Sequence, residues 1–344
     1  MSYRSHINSI TCRILDAEKN AYGKLFTACD ELYEALLQIT GIDIAEDSNR
    51  EDNLLNSGSA IGLTWAAMCI KDHNRTKRFM DGITEATGDM LKANAGRPVH
   101  ILYTGTGPFA TLMLPLIARF SEEQIQFTLL EVNDTSFNCL QKLVGTLQLE
   151  KYIHRIEKAD ATTWQLPPNE PVDIFICETM QQGLKTEPQV ALCMNIVPQL
   201  PSKTIIIPEQ ITLQAALIDL GERMRRKLGN KSSGNPVHLL GTIFTLNKET
   251  ILRYAATHQH TGETSPVFPE TIITIPAELT ASHPLLYLLT DIVVYNHEKL
   301  LIDDSPLTLP LKLADLSQHQ PAKIKFQYHT GKIPGIQFSM QDSK

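Results

Sequence analysis

The stretch VHILYTGTGPFATLML, residues 99–114, limits the folds open to this chain more than any other. An apolar run ends in two glycines one residue apart, and a second apolar run starts at once. A short apolar run stopped by glycine reads as a buried strand. Gly105 and Gly107 let the backbone turn sharply and let a ligand come close to it. The spacing predicts a strand over 99–103 that turns into a helix, with Pro108 in that helix's first turn. Alone, such a turn serves structure as often as it serves a ligand.

Three more β-rich runs follow, at 126–131, 172–177 and 203–208, with helix-like segments between the first pairs. That alternation predicts a parallel, doubly wound sheet. Upstream, Ile7, Ile10, Ile14, Leu25, Cys29, Leu32, Leu36 and Ile39 recur at helical spacing, so residues 6 to 95 read as helices around a polar loop at 45–60. Beyond 209, runs such as ITLQAALI, GTIFTL, TILRYA, TIITIP, LLTDIVVY and AKIKFQY predict a mostly antiparallel, barrel-like β domain. The expected order is a helical region at 1–95, a Rossmann-like α/β domain at 96–208 and a β-rich substrate or oligomerisation domain at 209–344. A chain of 344 residues is long for one ordinary core.

The formal net charge of −7 argues against a nucleic-acid partner. Six scattered cysteines without a CxxC pair suggest neither zinc nor a disulfide framework, and fit the cytoplasm. The first ten residues lack the apolar core of a signal peptide. No apolar run approaches the ~18 residues of a membrane span. His258 and His260 stand two apart with no acidic or thiol partner nearby, so no metal is expected. The basic run 223–231 reads as a solvated helix end, and His73 as a polar helix residue.

The second strand ends at Glu131, and an acid at that place in Rossmann-like sheets accepts hydrogen bonds from a ribose diol. Turn and acid together point to a nucleoside-containing ligand. GTGPFA also passes as GxGxxA, which leaves a dehydrogenase and a methyltransferase both open. Glu178 lies just beyond the 172–177 strand, and Glu187 follows across a loop carrying Gly183. Two carboxylates brought together grip a guanidinium; kept apart, they are two solvated loop acids.

These segments resemble class I S-adenosylmethionine-dependent methyltransferases, and among them the protein arginine methyltransferase family. The family's loop reads S-E-W-M-G-Y-x-L-x-x-E, and here Cys177 to Glu187 keeps both glutamates and Met180 in place. A helical motif, M-L-x-D-x-x-R-T-x-x-Y, is matched by Met68, Asp72, Arg75, Thr76 and Phe79. The resemblance covers 60–220 by motif. It implies S-adenosyl-L-methionine as cofactor, held by Arg75 at its carboxylate, by the turn Thr104, Gly105, Thr106 and Gly107, by Glu131, and by Asp160 beside the adenine. It implies Glu178 and Glu187 as the catalytic pair, with Met68 and Met180 lining the substrate. The methyl acceptor is expected to be a peptide, protein or small molecule, with an arginine guanidino group leading, and relatives commonly form dimers. The alternatives are methylation of a small molecule or short biosynthetic peptide at a non-arginine site, and a non-catalytic binding protein of the same fold. The chain departs from the family at Tyr103, where an acid is usual, and at Pro108, Phe109, Thr179 and Gln182. It lacks the paired tyrosines and the threonine-histidine-tryptophan loop, for which SPLTLPLKL, 305–313, is the nearest candidate.

Overall fold

The helical spacing of the first forty residues is realised in α1 (Tyr3–Asp16) and α2 (Tyr22–Thr40), which bury Ile7, Ile10, Ile14, Leu25, Cys29, Leu32 and Leu36. The structure is a computed structural model that describes residues 2–18, 21–94, 96–229, 234–261, 268–318 and 321–342. Gly41 closes α2 in the left-handed conformation that suits glycine at a helix end. The polar segment at 45–60 contains a small antiparallel hairpin, β1 (Asn53–Leu55) and β2 (Gly58–Ala60). Two helices follow, α3 (Leu63–Met68) and α4 (His73–Ala93). The Asp72 carboxylate caps α4 by accepting the Arg75 N–H at 3.3 Å.

The principal sheet comprises β3 (Val99–Thr104), β4 (Ile125–Glu131), β5 (Ile153–Lys158), β6 (Ile174–Cys177) and β7 (Ile205–Ile207). Helices α5 (Leu114–Arg119), α6 (Asp134–Leu147) and α7 (Gln189–Ile196) connect them. All strands run parallel in the order β5-β4-β3-β6-β7, the Rossmann-like order. Every residue of β3 and β6 is buried, as expected for strands covered on both faces.

Two details depart from expectation. The chain does not enter a helix at Pro108: Ala110 takes a positive φ of 43°, a 3-10 turn spans Thr111–Met113, and Pro115 occupies the first turn of α5. The edge strand β5 carries the polar sequence Ile-His-Arg-Ile-Glu-Lys, which gives no buried-strand signal.

The C-terminal part contains β8 (Gln210–Ile218), α8 (Leu220–Lys227), β9 (Val237–Asn247), α9 (Lys248–Thr261), β10 (Thr271–Thr274), α10 (Ala277–Thr280), β11 (Leu285–Tyr295), β12 (Glu298–Leu300), β13 (Leu311–Asp315), β14 (Lys323–His329) and β15 (Gly335–Gln341). They form two antiparallel sheets, β12-β11-β8-β9 with β13 beside β11, and β10-β14-β15. TILRYA is helical rather than a strand. Asn247 Oδ1 accepts the Thr250 N–H at 2.9 Å and starts α9, and Ile251 and Ala255 are buried one turn apart. His258 and His260 fall on α9, with side chains outside the described ones. The basic run supplies α8, where Arg223 and Lys227 pair with Asp303.

Helix α4 joins the two parts. A Cβ on Gly82 would sit 2.8 Å from Val294 Cγ1, so bare backbone lets β11 pack close. Arg78 pairs with Glu298 at 3.0 Å on the same face.

Candidate functional site

The strand order reverses between β3 and β6, and α/β sheets bind ligands beyond the carboxyl ends of the strands at such a point. A cavity of about 490 Å³ opens there. Gly105 and Gly107 line it with φ of 64° and 60°, a region that side chains disfavour. A Cβ on Gly105 would also run into the Thr179 methyl of the facing loop.

Glu131, at the end of β4, is buried in the cavity wall. Its Oε2 accepts the Gly107 N–H at 2.8 Å, and its Oε1 accepts the Val132 and Asn133 N–H groups at 2.9 Å. Burial pushes its carboxyl pKa up, against the pull of these backbone donors. Glu131 therefore fixes the glycine turn before it meets any ligand. Of about four lone-pair sites on a carboxylate, three are taken by backbone. The fourth, on Oε2, receives the Thr106 hydroxyl at 3.5 Å, the longest of the four contacts.

The opposite wall is acidic. Glu178 follows β6, Glu187 ends the loop before α7, and Asp52 sits where the chain enters the β1–β2 hairpin. With Glu131 and Asp160, they give the described cavity wall five carboxylates, against the single cation Arg75. Arg75 projects from the first turn of α4 and its Nε forms an ion pair with Glu178 Oε1, both side chains being almost wholly buried. No aligned hydrogen bond reaches that buried Oε1. Burial raises the Glu178 pKa against the attraction of Arg75. Glu187 is pushed up to about 8 by burial, opposed by Arg75 and reinforced by Glu178 and Asp52. The pocket is thus short of positive charge: one guanidinium serves two buried carboxyls.

The loop from 178 to 187 is held under strain. Gly183, Leu184 and Thr186 take φ of 69°, 53° and 72°, costly for leucine and more so for β-branched threonine. Fastenings from the C-terminal sheets compensate. The Tyr328 hydroxyl donates to Leu184 O at 2.7 Å, the Gly183 N–H to Thr290 Oγ1 at 3.1 Å and the Thr186 N–H to Pro334 O at 3.2 Å. Gln182 Nε2 donates to Leu309 O, and from the hairpin the Ser59 N–H donates to Thr186 O at 2.8 Å.

The structure brings together Arg75, Gly105, Thr106, Gly107, Glu131, Asp160, Glu178, Met180 and Glu187 around the cavity. Asp160 Oδ1 accepts the Thr162 N–H and hydroxyl at 2.9 and 2.7 Å. Two expected residues stand outside. Thr104 faces away, its hydroxyl donating to Ile176 O at 3.3 Å, because neighbouring strand residues point to opposite faces and Tyr103 takes the cavity side. Met68 is exposed at the end of α3. It precedes Asp72 by four residues, not the three of the family motif, so Cys69 holds the matching register and lines the cavity. Asp52, Trp65 and Leu307 also line it, on elements whose sequence carries no site signal. Leu307 belongs to SPLTLPLKL, and its neighbour Ser305 donates to Asp72 Oδ2 at 2.5 Å, so this segment braces the N-terminus of α4. The His73 ring lies against Phe26, centroids 4.9 Å apart.

Among the described residues no three His, Cys, Asp or Glu side chains converge as metal ligands, and no helix is long and apolar enough to cross a membrane. No protein-family model matches the sequence, and no curated protein does. Among solved structures, the chain is similar to one in the Trypanosoma brucei PRMT1 enzyme–prozyme heterotetrameric complex with AdoHcy. The identity is 14%, the TM-score 0.48, and the match covers 80% of this chain and 92% of that one.

Proposed function

We propose that this chain is an S-adenosylmethionine-dependent N-methyltransferase whose acceptor is an arginine guanidino group in a peptide or protein. One observation carries the reading: a cavity at the switch point of a Rossmann-like sheet sets five carboxylates against one guanidinium. Both proposed ligands bring positive charge, a sulfonium in the cofactor and a guanidinium in the acceptor.

The residues present fit the cofactor. The glycine turn admits close approach, and Glu131 stands in the cavity wall beside it with only the long Thr106 contact to give up to a ligand hydroxyl. Arg75 is the one cation on the described wall, which a cofactor carboxylate would share with Glu178. The volume lies within the ~300–1,000 Å³ of small-molecule sites. The cofactor, when bound, supplies an electrophilic methyl on sulfur. The chain supplies alignment, which is worth several orders of magnitude in a displacement. Glu178 and Glu187 orient the guanidinium and hold its charge at one end, which leaves the other nitrogen electron-rich. Glu187 ionises as the cation enters, since a positive neighbour favours its charged form. When the nitrogen is methylated it sheds a proton, which the Glu187 carboxylate, ionised by then, accepts.

Titration calorimetry with AdoHcy, alongside methyl transfer to arginine-containing peptides, tests this. Arg75→Ala should weaken AdoHcy by about tenfold or more, the loss of a charge-assisted contact. Glu178→Gln and Glu187→Gln should keep AdoHcy affinity within about twofold and lose transfer by about a hundredfold or more. Unchanged AdoHcy affinity in Arg75→Ala, or full activity in both glutamine variants, overturns the assignment.

A further inference from the structure

We propose that Gln189 is a positioning residue that sets the placement of the two glutamates relative to each other, a role that rests on the function proposed above. Gln189 is the first residue of α7, stands two residues after Glu187 and is 1% exposed. Its side chain does not line the cavity but reaches back to the start of the loop. Gln189 Nε2 donates to Cys177 O at 2.9 Å. Gln189 Oε1 accepts the Thr179 N–H at 2.9 Å, the Thr179 hydroxyl at 3.2 Å and the Cys177 thiol at 3.3 Å. The residues before and after Glu178 are therefore both tied to one amide. That amide hangs from the backbone that carries Glu187, with only Pro188 between them. One side chain closes the loop into a ring and fixes both carboxyl-bearing segments.

The chemistry of the clamp is specific. Cys177 O, which is buried, needs a donor, and the Thr179 N–H, part-buried at the cavity edge, needs an acceptor. Glutamine offers both at the right length. Methionine matches its volume and offers neither, leaving the buried Cys177 O and the part-buried Thr179 N–H without this partner, and an unmet buried group costs more than the bond itself is worth. A protonated carboxylic acid offers both again, whereas a carboxylate would face Cys177 O with like partial charge.

The test uses the full-length protein, AdoHcy as cofactor probe and a glycine-arginine-glycine peptide as acceptor. Gln189→Met is expected to bind AdoHcy within about twofold of wild type and to lose kcat on the peptide by about 10- to 100-fold, with a smaller change in KM. Gln189→Glu supplies a readout that a merely structural role would not move. Its activity relative to wild type should rise as the pH is lowered, because protonation restores the donor to Cys177 O. Retained AdoHcy binding shows that each variant is folded. Wild-type kcat and KM in Gln189→Met, or a pH-independent activity ratio in Gln189→Glu, overturns the positioning role while leaving the proposed function standing. A wild-type protein that binds neither AdoHcy nor the peptide overturns the function and this role together.

Discussion

Glu187 is the residue whose state depends most on what enters the cavity. Folded, it holds its proton to about pH 8, whereas its ordinary value is 4.5. Between those values the folded state binds more protons than the unfolded one, so stability falls as pH rises through that window. Glu187→Gln removes the titration and should raise Tm by about 2–5 °C at the alkaline end of the window while abolishing transfer. A thermal melt series showing equal pH dependence in both proteins would contradict this. The glycine turn and Glu131 are legible in the sequence because each sits at a strand end, where local pattern and position coincide. Arg75, Glu178 and Glu187 stand out only through the resemblance, since a lone helix arginine and two loop acids read equally as solvated. Thr104 departs from the expectation for the turn because side chains alternate along β3 and Tyr103 points into the cavity instead. Cys69 gives no signal of its own, since a cysteine replaces the methionine of the motif at the position three residues before Asp72. Asp52 and Gln189 gave no signal, since their partners are fixed only by the fold.

The loop between β6 and α7 is the element on which the chemistry depends, and it is not self-supporting. Two positive-φ residues, Leu184 and Thr186, cost energy that the C-terminal sheets offset, above all through Tyr328, which is buried beneath Leu184. Tyr328→Phe keeps the ring packed against Phe244 and Phe268 and deletes only the hydroxyl. It should cost about 1–2 kcal/mol of stability and lower kcat more than it weakens AdoHcy binding. A variant with wild-type kcat would show that the hydroxyl does not position the loop. Legibility divides in the same way among elements. The continuous apolar strands β3, β4 and β6 declare themselves, whereas β5 is polar and forms the sheet edge. The run 250–255 is too short for periodicity to separate strand from helix, and the cap at Asn247 decides it.

Among the described residues, the main core runs from Ile7 in α1 to Tyr328 in β14, with a small second cluster of Ala216, Ile218, Tyr287 and Leu289 between β8 and β11. Helix α4 is shared by both parts: its first turn carries Arg75, and Arg78 and Gly82 contact β12 and β11. Parts that share a helix and a core in this way are expected to unfold together, and scanning calorimetry should show a single unfolding transition for the chain. Two well-separated transitions would contradict a shared core. The same architecture explains why the acidic site needs the entire chain: its cation comes from α4, its turn from β3, its glutamates from the loop after β6, and its fastenings from β11, β14 and the β1–β2 hairpin. The most direct test is mass spectrometry of an arginine-containing peptide pool incubated with this protein and S-adenosylmethionine carrying a deuterated methyl. The account predicts deuterated methyl groups on arginine side chains with the wild-type protein and none with Glu187→Gln. Methylation confined to other residues, or equal in both proteins, would contradict it.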